Sequence, residues 1–278
     1  MLNLADVKTR KSTKPRILTV YGRPGVGKTT FGASFPDAVF IQTEEGEGDL
    51  EIASFTPEDC FRDYTSIISA LAQLYNDPHH FKTLVMDSIN HLEPLLFAFI
   101  CQKNNVSSIE AIPYGKGYTF AEEEFQNFWT WLETLRAQRN MNVVLLGHPE
   151  ALTAPDPHLD EHKRFQLKMH KKMAAYVVER SDAVMLLDRL TIVAKGEEVM
   201  GKTMAGRAKS SGQRVLYTDG GASFEAKTRF KAPEQLMIPE VGGYDILAPY
   251  LPGQDTLGQI APHHPLAAAA AAAAQPAA

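Results

Sequence analysis

The sequence is poor in cysteine and in tryptophan, with two of each in 278 residues. Cys60 and Cys101 lie far apart and match no CxxC or Cys/His zinc spacing, which points to two free thiols in a reducing compartment. Apolar runs suited to a membrane are also missing. The run 95–101 is too short to cross a bilayer, and the basic N-terminal residues hold no apolar stretch of the kind a secretory signal needs. A cytoplasmic protein with no membrane partner is expected. Positive charge is not in excess either: the formal net charge is −5. Nucleic-acid binding through bulk charge is thereby excluded, although a local basic strip is not. Apolar content of 44% and charged content of 22% exclude wholesale disorder. A chain of this length buries roughly three quarters of its unfolded surface, so it needs neither disulfides nor a structural metal to fold.

What is present is a regular alternation. Short, almost wholly apolar segments at 16–21, 38–42, 83–87, 142–147 and 183–187 read as strands. Helical spacing fills the intervals at 29–35, 58–75, 89–103, 120–139 and 174–179. Strands of this kind imply a parallel sheet covered on both faces. Later segments at 190–194, 214–218 and 224–228 read as strands joined by turns, extending the sheet at one edge. Residues 154–172 read as a polar stretch. Three regions follow: a basic flexible arm (1–14), one α/β core (15–240), and a low-complexity, disordered tail (241–278) with alanines at 267–274.

One motif carries specific chemistry. Gly22, Arg23, Pro24, Gly25, Val26, Gly27, Lys28 and Thr29 match GxxxxGK[ST], followed by Thr30, with a strand before and a helix after. The glycines let successive N–H groups face phosphate oxygens, and the helix N-terminus adds partial positive charge. Lys28 would reach the β- and γ-phosphates of ATP, and Thr29 would ligate Mg²⁺. Asp87 ends an apolar strand, where a second acidic group can hold the magnesium shell. It could equally cap the next helix. Glu44 follows the second strand, beside the expected γ-phosphate, where a carboxylate could polarise the attacking water. It also belongs to a run, 44–49, that reads as a solvated acidic loop. His148 follows the fourth strand directly. It could sense the γ-phosphate, or be a structural histidine.

This order of phosphate loop, strand with following Glu, strand-Asp-Ser and strand with terminal polar residue resembles the RecA core. It is similar, more narrowly, to the phage-encoded RecA-like ATPases that lack RecA's extra domains, a group including Sak-type single-strand annealing proteins. The resemblance rests on residues 22–30, 40–46, 84–88, 114–118, 145–148, 182–187 and 226–230. It implies a three-layer P-loop fold with a mainly parallel central sheet and late antiparallel hairpins at one edge. It implies a DNA-stimulated ATPase that binds single-stranded DNA and promotes annealing or recombination, in host cytoplasm if phage-encoded. It implies a homo-oligomer, ring or filament, with single-strand-binding or replication proteins as further partners. RecA has Gln where this chain has His148, and RecA's large C-terminal domain has no counterpart, so annealing or accessory roles fit better than full strand exchange. By the same resemblance Arg229 is a finger reaching the neighbour's nucleotide, with Lys227 as its partner. Otherwise the pair is a basic strand edge that discourages aggregation. Lys163, Arg164, Lys168, Lys171 and Lys172, with Phe165 and His170, form the densest basic cluster. They read either as a DNA-facing loop or as a solvated face. Residues 114–118 are a weaker candidate for the first DNA-facing loop, the basic cluster being the second. A nucleotide-switched recruitment module for DNA replication, without DNA pairing of its own, remains the alternative.

Overall fold

The computed structural model describes residues 9, 12–45, 48–56, 59–156, 159–193, 198–199, 202–203, 208–261 and 264–266. Most of the basic arm, part of the acidic loop and the alanine run lie outside the described residues.

Five strands are buried along nearly their whole length. They are β1 (Ile17–Tyr21), β2 (Ala38–Gln42), β4 (Thr83–Asp87), β5 (Asn142–Gly147) and the first half of β8 (Ala183–Val193). With the short β3 (Ala53–Ser54) they form a parallel sheet in the order β8-β1-β5-β4-β2-β3. Successive side chains alternate between faces. Ile17 and Tyr21 of β1 therefore pack with Leu84, Met86, Val143 and Leu145 under one helical layer. Leu18 and Val20 pack with Val85, Val144, Leu146 and Met185 under the other.

The first layer is α2 (Tyr64–Asn76), α3 (Ile89–Lys103), α4 (Lys116–Gln138) and α5 (Lys171–Arg180). Their apolar stripes, for example Phe125, Phe128, Trp129 and Leu132 of α4, face the sheet. The second layer holds α1 (Lys28–Ala33) and α6 (Tyr244–Leu247). The three-layer α/β expectation is met. The antiparallel edge is met as well: β11 (Ala208–Tyr217) and β13 (Gln235–Ile238) extend the sheet beyond β8, and β12 (Lys227–Thr228) pairs with β8. Short β9 (Glu198–Val199) and β10 (Lys202–Thr203) pair with each other. No helix among the described residues is long and apolar enough to cross a membrane.

Three expectations are corrected. The polar stretch 154–172 is largely a two-stranded ribbon, β6 (Pro149–Asp156) against β7 (Leu159–Leu167), leading into α5. No apolar alternation announces it, because its described side chains are mostly exposed or half-buried and only Leu167 at its base is buried. The two strands expected at 183–187 and 190–194 are one, because Asp188 and Arg189 continue the pairing with β11 where the sheet leaves its helical cover. The segment expected as a tail from 241 is structured over its described part. Leu247 is fully buried, Leu251 and Ala261 are buried, and the Tyr244 and Phe35 rings pack 4.9 Å apart. Single apolar residues are buried there, while Val241 and Ile246 stay exposed, and single turns with Pro249 and Pro252 have no period to read.

Candidate functional site

β1 ends at Tyr21, and the chain turns through 22–27 into α1. Gly25 (φ +73°) and Gly27 (φ +91°) are left-handed, a conformation that side chains resist. A Cβ at Gly22 would meet Leu187 O at 2.2 Å. Gly22 N donates to Gly147 O at 3.0 Å, which ties the loop to the end of β5. Lys28 is 7% exposed and folds back across the loop, its Nζ donating to Gly22 O (3.0 Å) and Arg23 O (3.3 Å). Burial pushes its pKa down, against the pull of Asp87 and Glu44. A partly desolvated cation folded across a glycine-rich loop at a helix start suits a polyphosphate.

The ends of three parallel strands place the remaining groups. Thr29 Oγ1 donates to Asp87 Oδ2 at 2.6 Å. Burial pushes the Asp87 carboxyl up, although the Thr29 hydroxyl opposes it. A hydroxyl and a carboxylate in contact are the hard oxygen donors that Mg²⁺ takes, so these residues fit that ion. Across the cis Asp87–Ser88 peptide, Thr43 Oγ1 donates to Ser88 O (2.7 Å) and accepts from Ser88 N (2.9 Å). This holds the chain leaving β2 against the chain leaving β4. Glu44 comes next, with both carboxylate oxygens engaged: Oε1 by His148 Nε2 at 2.9 Å, Oε2 by His91 Nδ1 at 3.1 Å. Burial alone would raise its pKa. Hydrogen bonds from His148 and Ser88 outweigh burial and hold it at about 2. His148 Nδ1 lies 3.4 Å from Lys28 Nζ. Because an ammonium only donates, Nδ1 accepts and Nε2 carries the proton given to Glu44. The backbone of His148 closes the base of the β6–β7 ribbon. Lys168 N donates to His148 O (2.9 Å), and Asn90 binds both sides, accepting from His148 N (2.6 Å) and donating to Lys168 O.

Residues 14–230 match a family profile described as AAA domain. The chain belongs to the AAA domain family. No curated protein matches it. Among solved structures it is similar to the RadB recombinase, with 16% identity and a TM-score of 0.44, over 83% of this chain and 90% of that one. As an AAA domain, the protein is a P-loop ATPase with a nucleotide site, to which Mg²⁺ usually belongs.

The structure of this AAA domain gathers Lys28, Thr29, Glu44, Asp87 and His148 in one place. Arg229 and Lys227 lie elsewhere. Lys227 pairs with Val184, and Arg229 N donates to Asp182 O (2.8 Å), whereas Tyr21, just before the phosphate loop, pairs with Leu186. Arg229 is thus four strand residues, about 13 Å, below the level of Tyr21, and Lys227, two residues below it, turns its side chain to α5 instead of the loop. Both side chains donate to Glu179 O, from Lys227 Nζ at 3.2 Å, where cations suit the C-terminus of α5.

The basic cluster divides. Lys163 and Arg164 are neighbours on β7 and point to opposite faces. Lys168 follows the ribbon, while Lys171 and Lys172 open α5, with Lys172 paired to Glu122 at 2.8 Å. Phe165 lies under the Arg23 guanidinium, 5.2 Å away, and His170 stacks on Tyr118 at 4.9 Å. Tyr114 is 95% exposed in the turn before α4. Sequence reasoning missed His91, Asn90 and Thr43. The spacing Asp87-Ser-Ile-Asn90-His91 at a helix start was available as a signal, because it puts short polar side chains beside the strand ends.

Proposed function

We propose that this ATPase works on single-stranded DNA as a head-to-tail homo-oligomer, in annealing or recombination of the kind performed by the phage-encoded core-only RecA-like proteins. One observation carries the reading. His148 touches Glu44 and Lys28 with its side chain and closes the base of the β6–β7 ribbon with its backbone. A change at the nucleotide is thereby passed to Lys163, Arg164, Lys168, Lys171 and Lys172.

In the mechanism, the loop N–H groups and Lys28 bind the phosphates. Thr29 and Asp87, already in contact, would hold Mg²⁺, which would supply neutralising charge to the phosphates. Phosphoryl transfer needs positioning and charge stabilisation more than covalent help. Glu44, held ionised at about 2, is a weak base. It orients water by accepting its hydrogen bond rather than stripping its proton early. A γ-phosphate beside Lys28 competes for the contact of that ammonium with His148, freeing the imidazole to turn toward phosphate and loosening its hold on Glu44. Arg229, with Lys227, reaches the nucleotide of a neighbouring copy.

The test is fluorescence anisotropy of a labelled single-stranded oligonucleotide, with and without ATP and Mg²⁺, over a range of salt. The expected result is nucleotide-dependent binding that weakens with salt, with a log–log slope that shrinks by about 0.7 for each lysine contact removed. The division of the basic residues, with Lys172 paired to Glu122, favours a second reading, the nucleotide-switched recruitment module. Absence of binding even at low salt would select that reading.

A further inference from the structure

The carbonyls of Val26 and Gly27, at the tip of the phosphate loop, turn toward the antiparallel edge of the sheet. Arg214 meets them there. It sits on β11 opposite Arg189 of β8 and Ile238 of β13. It is only 3% exposed, where an unpaired cation is costly. Its partners are carbonyls rather than carboxylates. Nη1 donates to Gly27 O at 3.2 Å and reaches Val26 O at 3.5 Å, while Nη2 donates to Pro239 O. Gly27 is shaped to this contact: a Cβ there would come within 2.1 Å of Arg214 Nη1.

Peptide geometry gives the contact a consequence. In a trans peptide the C=O and the following N–H point in opposite directions. Holding Val26 O and Gly27 O against Arg214 turns the N–H groups of Gly27 and Lys28 to the other side of the loop. We propose that Arg214 is a positioning residue for the nucleotide: its guanidinium fork fixes two loop peptides from behind, so that their N–H groups are aimed at phosphate before the nucleotide arrives. The fork matters as well as the charge, because one planar group must serve divergent carbonyls from the loop and from Pro239. The proposal rests on the reading of residues 22–29 as the nucleotide site. It adds to that site a residue nearly two hundred positions away, on the part of the sheet outside the parallel core.

The experiment measures ADP affinity, by calorimetry with Mg²⁺, and nucleotide-free melting temperature for the full chain and for Arg214→Lys and Arg214→Ala. Arg214→Lys is expected to bind ADP roughly tenfold more weakly, with its nucleotide-free melting temperature within a few degrees of wild type. Arg214→Ala is expected to bind more weakly still and to regain affinity with millimolar methylguanidine, but not with methylamine. A merely structural role would not produce that selectivity. Arg214→Lys binding within twofold of wild type would overturn the proposal. So would loss of the folded state in both variants, which would assign Arg214 to the fold alone. If the wild-type chain itself bound no nucleotide, the failure would lie in the functional reading and not in the role of Arg214.

Discussion

In the proposed mechanism, Glu44 orients the attacking water. Both its oxygens are held by histidines, so removing its charge has two consequences. Glu44→Gln is expected to lower turnover by about a hundredfold or more, because the water loses its orienting acceptor; steady-state hydrolysis measures it. The second consequence depends on pH. The folded-state pKa of Glu44 is about 2, below the ordinary value of 4.5. Its ionised contacts therefore stabilise the fold fully above pH 4.5, and that contribution is lost as pH falls toward 2. The stability advantage of wild type over Glu44→Gln, from urea denaturation, should be constant above about pH 5 and shrink below it. An advantage that grew on acidification would contradict the assignment. Glu44 was recognisable because it follows an apolar strand within reach of the loop Lys28 defines. His91 was not: one turn into α3, it meets Glu44 only because β2 and β4 are adjacent in the sheet.

At the scale of elements, legibility followed burial. β5 and α3 were readable to the residue because an unbroken apolar run and a clean helical stripe are imposed by the core. The β6–β7 ribbon was not readable, since solvent on its faces asks for no alternation. The segment 243–261 failed for a different reason. Its residues are buried one at a time, by irregular turns packed on α1 around Leu247 and Leu251 and tied to the end of α4 at Gly258 and Ala261. That packing makes a sharp prediction. Leu247→Ala should destabilise the protein by about 2–5 kcal/mol, as for a fully buried leucine, in urea unfolding followed by circular dichroism. A change within about 0.5 kcal/mol would mean that this segment does not hold to the core.

For the whole molecule, the opposite placement of the two basic features has a geometric meaning. The phosphate loop lies at the C-terminal ends of the parallel strands, and Arg229 lies at the other end, beside Asp182. In the proposed head-to-tail oligomer, this placement lets Arg229 of one copy reach the nucleotide of the next. Arg229→Ala is therefore expected to lose most of its turnover while still binding ATP. Mixing it with Lys28→Ala should restore part of that turnover, because an intact loop from one variant meets an intact finger from the other. Mixtures that form joint oligomers by light scattering yet hydrolyse no faster than either variant would remove the shared site. In the proposed function, one P-loop site both hydrolyses ATP and answers to single-stranded DNA through His148. Steady-state ATP hydrolysis by wild type and Lys28→Ala, each with and without a single-stranded oligonucleotide, tests this. Mg²⁺-dependent turnover that rises with DNA is expected in wild type, and background turnover in Lys28→Ala under both conditions. Equal turnover in the two proteins, or wild-type turnover indifferent to DNA, would contradict it.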